Sequence, residues 1–217
     1  MQKKSFLFAV SLFLNTSTYA DTSNTVSVNA GRQKAVTCIS CHGENGNSTI
    51  PLFPKLAQQH SGYLIKQLKA FKSGERQDSM MNTIAMTINE HDIEDIAHYF
   101  ADQKITSEPS ETPDAMDAQE QQELKNLIAQ GSDLYRNGDL NREVSACIAC
   151  HGPTAEGNKP AAFPYLKSQH AEYLIKTLND FKSGKRANHP ENMMHMIAGK
   201  MSEEQIKAVA LRISTMK

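Results

Sequence analysis

Two copies of Cys-x-x-Cys-His, Cys38-Ile-Ser-Cys41-His42 and Cys147-Ile-Ala-Cys150-His151, account for all four cysteines of the chain. This pentapeptide is the attachment signature of c-type haem. Two thiols one helical turn apart can each add to a vinyl group of one porphyrin, and the adjacent histidine then reaches the iron. A chain with two such motifs must build two crevices, each shaped around a large apolar macrocycle. The expected cofactors are two covalently bound haem c groups. Cys38, Cys41, Cys147 and Cys150 are the attachment residues, and His42 and His151 each supply one axial ligand.

Other uses of four cysteines fit less well. Disulfides in an oxidising compartment have no need of the histidine that follows each pair. Zinc would want a further close pair of Cys or His in each half; His60 and His170 recur at matching places and keep that reading in view. Thioredoxin-type chemistry would want a βαβ context, which the sequence lacks. The oxidising setting follows from residues 1–20, where Lys3 and Lys4 precede an apolar run from Phe6 to Leu14 and a Thr18-Tyr19-Ala20 cleavage tripeptide. This pattern predicts a signal peptide, too short to remain as a membrane anchor.

Charge is unevenly spread. Residues 21–100 carry 8 acidic and 7 basic side chains, 101–130 carry 7 and 2, and 131–217 carry 9 and 12. No concentrated basic face argues for nucleic acid. A dipolar carrier can be oriented by a partner's field, an effect that weakens with salt.

The second half of the chain repeats the first. Phe53-Pro54-x-Leu56 returns as Phe163-Pro164-x-Leu166, and Gln59-His60-x-x-Tyr63-Leu64-Ile65-Lys66 as Gln169-His170-x-x-Tyr173-Leu174-Ile175-Lys176. Phe71-Lys72-Ser73-Gly74-x-Arg76 returns as Phe181-Lys182-Ser183-Gly184-x-Arg186. The offset is 109 at the cysteines, 110 through the middle block and 113 near the end. Two similar domains follow: 21–103 and 115–217, joined by an acidic linker over 104–114.

Both domains read as helical. Tyr63, Leu64, Leu68 and Phe71 share one face, with Gly74 placed as a stop; Tyr173, Leu174, Leu178, Phe181 and Gly184 repeat the scheme. A Gln/Glu-rich stretch from Ala115 with Leu124, Leu127 and Ile128 reads as the leading helix of the second domain. The last helices open at Asn89 and Ser202, the latter with Gln205 completing a capping box. Their buried stripes are Ile93, Ile96, Ala97, Phe100 and Ile206, Val209, Ala210, Ile213. Domains this small have thin peptide cores, so each haem serves as core as well as cofactor.

A reversible electron carrier usually closes the sixth iron position, and methionine there raises the potential. Met81 lies 12 residues before Ile93 and Met194 lies 12 before Ile206. Met80 and Met193 obey the same spacing by one residue, so the repeat narrows the choice to a Met-Met pair without resolving it. Met86, Met196 and Met201 read as core filler. His195, beside Met194, is an alternative ligand that the first domain lacks, having Asn82 there. His60 and His170 read as polar residues that open helices. Arg76 and Arg186 either neutralise haem propionates or are solvated charges after a helix.

The paired motifs, the Phe-Pro-x-Leu segment, the Tyr-Leu helix ending in Ser-Gly-x-Arg, and the Met-Met pair resemble the dihaem cytochrome c4 family over nearly the whole mature chain. The resemblance implies an all-α fold of two tandem class I cytochrome c-type domains, each wrapped around one covalent haem. It implies Met81 and Met194 as the axial methionines, with Met80 and Met193 as packing residues. It also implies that the Pro54 and Pro164 carbonyls accept a hydrogen bond from the ligand histidines. The function it implies is that of a periplasmic electron carrier, not an enzyme, shuttling single electrons from a quinol-oxidising complex to a terminal oxidase. Peripheral association with the membrane is compatible with that role, and no small-molecule substrate is expected. The competing readings are a cytochrome subunit of a dehydrogenase and a dihaem redox enzyme with one open haem.

Overall fold

The computed structural model describes residues 22–107, 116–188 and 190–217, with side chains from residue 28 onward and excluding that of Pro190. The signal peptide read over residues 1–20 and most of the acidic linker lie outside the described residues. The first half folds as α1 (Thr22–Lys34), α2 (Val36–His42), α3 (Ser61–Ser73), α4 (Ser79–Thr87) and α5 (Glu90–Asp102). The second half repeats the order with α6 (Ala118–Asn137), α7 (Ile148–His151), α8 (Ala171–Lys182), α9 (Met193–Ala198) and α10 (Glu203–Ser214). Among the described residues the only β pairing is two isolated bridges, Asp139 with Val144 and Asn158 with Phe163.

In each half the first and last helices pack across each other, α1 on α5 and α6 on α10. The crossing is close because a glycine sits at the contact. A Cβ on Gly31 would lie 2.0 Å from the Asp95 carbonyl oxygen, and one on Gly131 would lie 2.0 Å from that of Ala208. The expected stripes of the last helices are buried, with Ile93, Ile96, Ala97 and Phe100 in one core and Ile206, Val209, Ala210 and Ile213 in the other.

Helix ends follow local chemistry. Ser202 and Gln205 form the expected capping box. Asn89 sits at the N-cap of α5 but makes no side-chain cap bond; its amide donates instead to the Asp92 carboxylate at 3.2 Å. The leading helix of the second domain starts at Ala118 rather than Ala115, because Asp117 caps it and Glu120 closes a box behind it. Gly74 ends α3 in the left-handed conformation, φ 79°, which glycine adopts without strain. Its counterpart Gly184 lies two residues beyond the end of α8, just past the C-cap Ser183.

The two halves meet in a seam that repeats itself under the same offset of 110. The Gln59 side chain donates to the Tyr165 carbonyl and accepts from the Tyr165 N–H, both at 2.8 Å. Gln169 does the same to Lys55, at 2.9 and 2.8 Å. All four groups are buried, so each carboxamide pairs fully with one peptide unit and leaves no unmet polar atom there. Such mutual pairing is the mark of a two-fold interface, here within one chain.

Candidate haem sites

Each crevice is assembled around its Cys-x-x-Cys-His turn. All four cysteines are half-buried and none is paired in a disulfide. Cys38 packs against the first core together with Leu56, Ile65, Leu68 and Ile84. Cys147 packs against the second with Leu166, Ile175, Leu178 and Ile197, the repeat-equivalent residues. Burial pushes the Cys38 thiol up and the Cys147 thiol up to about 11.

The histidines are buried and oriented. His42 Nδ1 lies 2.8 Å from the Pro54 carbonyl oxygen, and His151 Nδ1 lies 3.3 Å from that of Pro164. In each pair Nδ1–H donates to the carbonyl, which fixes the tautomer and leaves Nε2 with its lone pair for iron. Burial holds the His42 pKa below its ordinary value, the Pro54 hydrogen bond acting the other way; the neutral form is the one that ligates. Phe53 and Phe163 sit tilted against these imidazoles at 6.3 and 6.4 Å between ring centres. Two thiols on one turn, an oriented imidazole and a matched apolar lining make up the donor set and surroundings that haem c requires.

Tyrosines that the sequence reading did not single out hold the turn after each motif. Tyr99 of α5 donates to the Glu44 carbonyl and Tyr135 of α6 to that of Gly152, both at 2.6 Å. Burial pushes both phenols up, so they stay donors. They come from opposite members of the helix crossing, which is why the sequence repeat does not align them.

The methionines divide by helical face. Met81 is half-buried at the start of α4, on a stripe with Ile84, Ala85 and Ile88. Met80, one position round, is 48% exposed and does not serve as a packing residue. At the offset of 113 the stripe becomes Met194, Ile197, Ala198 and Met201, while Met193 is also half-buried. Met201 is core, at 2% exposed. Met86 and Met196 are not core filler, being 62% and 54% exposed on the outer faces of α4 and α9.

The remaining candidates lie in the seam or support the fold. His60 and His170 occupy the N-cap positions of α3 and α8 but cap nothing with their side chains. Their Nε2 atoms instead reach across to the Glu156 and Ser48 carbonyls at 2.8 and 2.9 Å. Arg186 is buried and is no solvated charge. It contacts Tyr63 Oη, Gln67 Oε1 and Asn188 Oδ1 at 2.9 to 3.0 Å, while Arg76 contacts Gln67 Oε1 at 2.8 Å and Tyr173 Oη at 3.1 Å. Each guanidinium lies over a phenyl ring, Phe71 at 4.4 Å and Phe181 at 4.5 Å. His195 Nδ1–H donates to the Phe181 carbonyl at 2.7 Å, the counterpart of the 2.6 Å bond from Asn82 to the Phe71 carbonyl. Among the described residues, no cluster of three or more His, Cys, Asp or Glu could hold a metal ion.

Comparison with known proteins agrees with this construction. The Cytochrome c family model matches residues 28–104 and again 128–217. Cytochrome c4 of Azotobacter vinelandii is 41% identical over 191 residues, covering 83% of this chain and 85% of that protein. The crystal structure of reduced recombinant cytochrome c4 from Pseudomonas stutzeri superposes with a TM-score of 0.78 at 36% identity, over 88% of this chain and 98% of that one. A thiosulfate dehydrogenase electron acceptor of Thiomonas intermedia is 32% identical, covering 83% of this chain and 79% of that protein. The chain belongs to the cytochrome c family, in its dihaem cytochrome c4 branch. It carries two covalently bound haem c groups and is a dihaem electron carrier.

Changing Cys41 to alanine leaves Cys38 as the only attachment thiol of the first crevice. Intact mass under denaturing conditions should show full haem occupancy in the second domain and reduced occupancy in the first. Equal loss from both domains would contradict independent crevices.

Proposed function

We propose that this dihaem cytochrome works in the periplasm, where it takes electrons singly from a quinol-oxidising complex and passes them to a terminal oxidase. In this reading residues 1–20 are the export signal, 21–103 and 115–217 are the two domains, and 104–114 are the acidic linker. His42 with Met81 and His151 with Met194 hold the two irons. When bound, each haem supplies one-electron Fe(II)/Fe(III) chemistry.

The chain's own residues supply attachment, orientation and charge. Cysteine thioethers would fix each macrocycle, and the Pro54 and Pro164 carbonyls keep each imidazole in its ligating tautomer. The matched apolar linings exclude water. Arg76 and Arg186 meet neutral hydrogen-bond acceptors in the seam. Burial would push the Tyr173 phenol up, yet these two guanidiniums bring it down to about 8. A seam this positive calls for anionic compensation, which the propionates of the two haems would supply.

The observation that carries the proposal is the joining of two equivalent crevices through one buried, self-matching seam. That arrangement suits electron passage between fixed centres. Among the described residues no helix is long and apolar enough to cross a membrane, which accords with a carrier that visits its partners. The similarity to a thiosulfate dehydrogenase electron acceptor favours a second reading, in which a dehydrogenase is the donor.

Stopped-flow reduction of the purified ferric protein separates the two. Fast reduction by quinol with membranes holding a quinol-oxidising complex, slowing as salt rises, is expected. Fast reduction by a thiosulfate dehydrogenase with thiosulfate, and none by the quinol system, would replace the first reading with the second.

A further inference from the structure

We infer that the two methionine arms are held with unequal strength, so that Met194 is the one that yields to a small exogenous nitrogen ligand, with Asn82 and His195 as the positioning residues. The inference rests on the assignment of Met81 and Met194 as iron ligands. Its basis is the break in the repeat just before each methionine.

In the first domain the start of α4 is clamped. Asp78 Oδ1 accepts the Met81 backbone N–H at 3.1 Å, capping the helix. Asn82 Oδ1 accepts the Asp78 N–H at 2.6 Å. Asn82 Nδ2 donates to the Phe71 carbonyl at 2.6 Å and to the Arg76 carbonyl at 2.8 Å. One side chain thereby ties the methionine turn to its own cap, to the end of α3 and to the intervening loop.

In the second domain the three-residue insertion replaces that clamp. Glu191 and Asn192 both have positive φ, 59° and 52°, a conformation strained for glutamate and better tolerated by asparagine. Asn192 stands at the N-cap of α9 and makes no side-chain cap bond. Among the described residues, His195, in the place of Asn82, supplies one bond, from Nδ1–H to the Phe181 carbonyl. The α-helix itself has 6 residues against 9, entered through a 3-10 turn, Pro190–Asn192, that Glu191 and Asn192 kink. Strain before the methionine and fewer bonds behind it both lower the cost of moving Met194 away. In the exchange the Met194 sulfur–iron bond breaks and a nitrogen–iron bond forms. No electron or proton is gained or lost, and the departing thioether stays tethered by α9.

The test is a titration of the oxidised holoprotein with imidazole, following the methionine-sulfur-to-ferric-iron band in the near infrared, calibrated per haem. Two steps are expected, separated by about tenfold or more in imidazole concentration, a factor equivalent to about 1.4 kcal/mol. Asn82→Ala should bring the later step down toward the earlier one and leave the earlier unmoved. Should Asn82→Ala not fold, Met81→Ala assigns the steps: its remaining equivalent should be lost at the lower concentration. Loss of both wild-type equivalents in one step, or a shift of the earlier step by Asn82→Ala, overturns the inference while leaving the ligand assignment intact. A starting spectrum with fewer than two equivalents overturns the assignment itself, and the inference with it.

Discussion

Replacing Met81 with alanine should halve the methionine-to-iron band of the oxidised protein and open the first-domain iron to added ligands. It should also lower that centre's potential by a sizeable part of the ~0.8 V range over which axial ligands act. The second centre should keep its band and its potential, because each crevice draws its lining from its own half of the chain. The control is Met80→Ala. Met80 projects from the outer face of α4, 48% exposed, and its loss should leave both equivalents of the band. The reverse pattern, with Met80 essential and Met81 dispensable, would move the ligand by one residue. It would also require α4 to turn by about 100°, away from the stripe that now buries Ala85 and Ile88.

The second large effect concerns stability. Within a helix, glycine to alanine normally stabilises by up to about 1 kcal/mol. Gly131→Ala should do the opposite. The new Cβ would lie 2.0 Å from the Ala208 carbonyl oxygen and 2.4 Å from its carbon, so α6 and α10 must separate or shift. Overpacking of this kind costs about 1–3 kcal/mol, occasionally more, here on top of the forfeited propensity gain. Thermal unfolding of the holoprotein should show a fall of several degrees, at roughly 2–4 °C per kcal/mol for a chain of this size. Gly62→Ala supplies the contrast, since nothing lies within 4 Å of a Cβ there, and it should be neutral or slightly stabilising. A Gly131→Ala protein as stable as the Gly62→Ala protein would mean that the helix crossing has room the structure does not show.

These two predictions draw on different parts of what the chain discloses. The two Cys-x-x-Cys-His motifs, the tandem repeat and the buried stripes of α5 and α10 were legible because each is a local pattern. Motif spacing and a period near 3.6 need no knowledge of distant chain. The capping box at Ser202 was legible for the same reason, whereas Asn89, also a favoured N-cap residue, spends its amide on Asp92.

The seam was not legible. Gln59 and Gln169 recur visibly in the repeat, yet their partners Tyr165 and Lys55 lie 106 and 114 residues away. No periodicity links them. His60 and His170 look like residues that open a helix because they do stand at helix starts; only the packed structure directs their imidazoles to the opposite half. The exposed methionines went astray for a related reason. Hydrophobicity alone makes Met86 and Met196 core residues, but α4 packs chiefly on α3 and α9 on α8, which leaves the outer face of each helix exposed. Asn82 and His195 were visible only as a difference between the repeats. Their shared task, bonding the carbonyl of Phe71 or Phe181, needs the fold to reveal it.

The most direct measurement is a quantitative near-infrared spectrum of the oxidised protein, with the methionine-sulfur-to-ferric-iron band calibrated per haem. Two equivalents are expected, one from Met81 and one from Met194, leaving both irons closed as a carrier requires. A single equivalent, or none, would contradict closed His–Met ligation at both centres and make a replaced or open position the starting point for a different function.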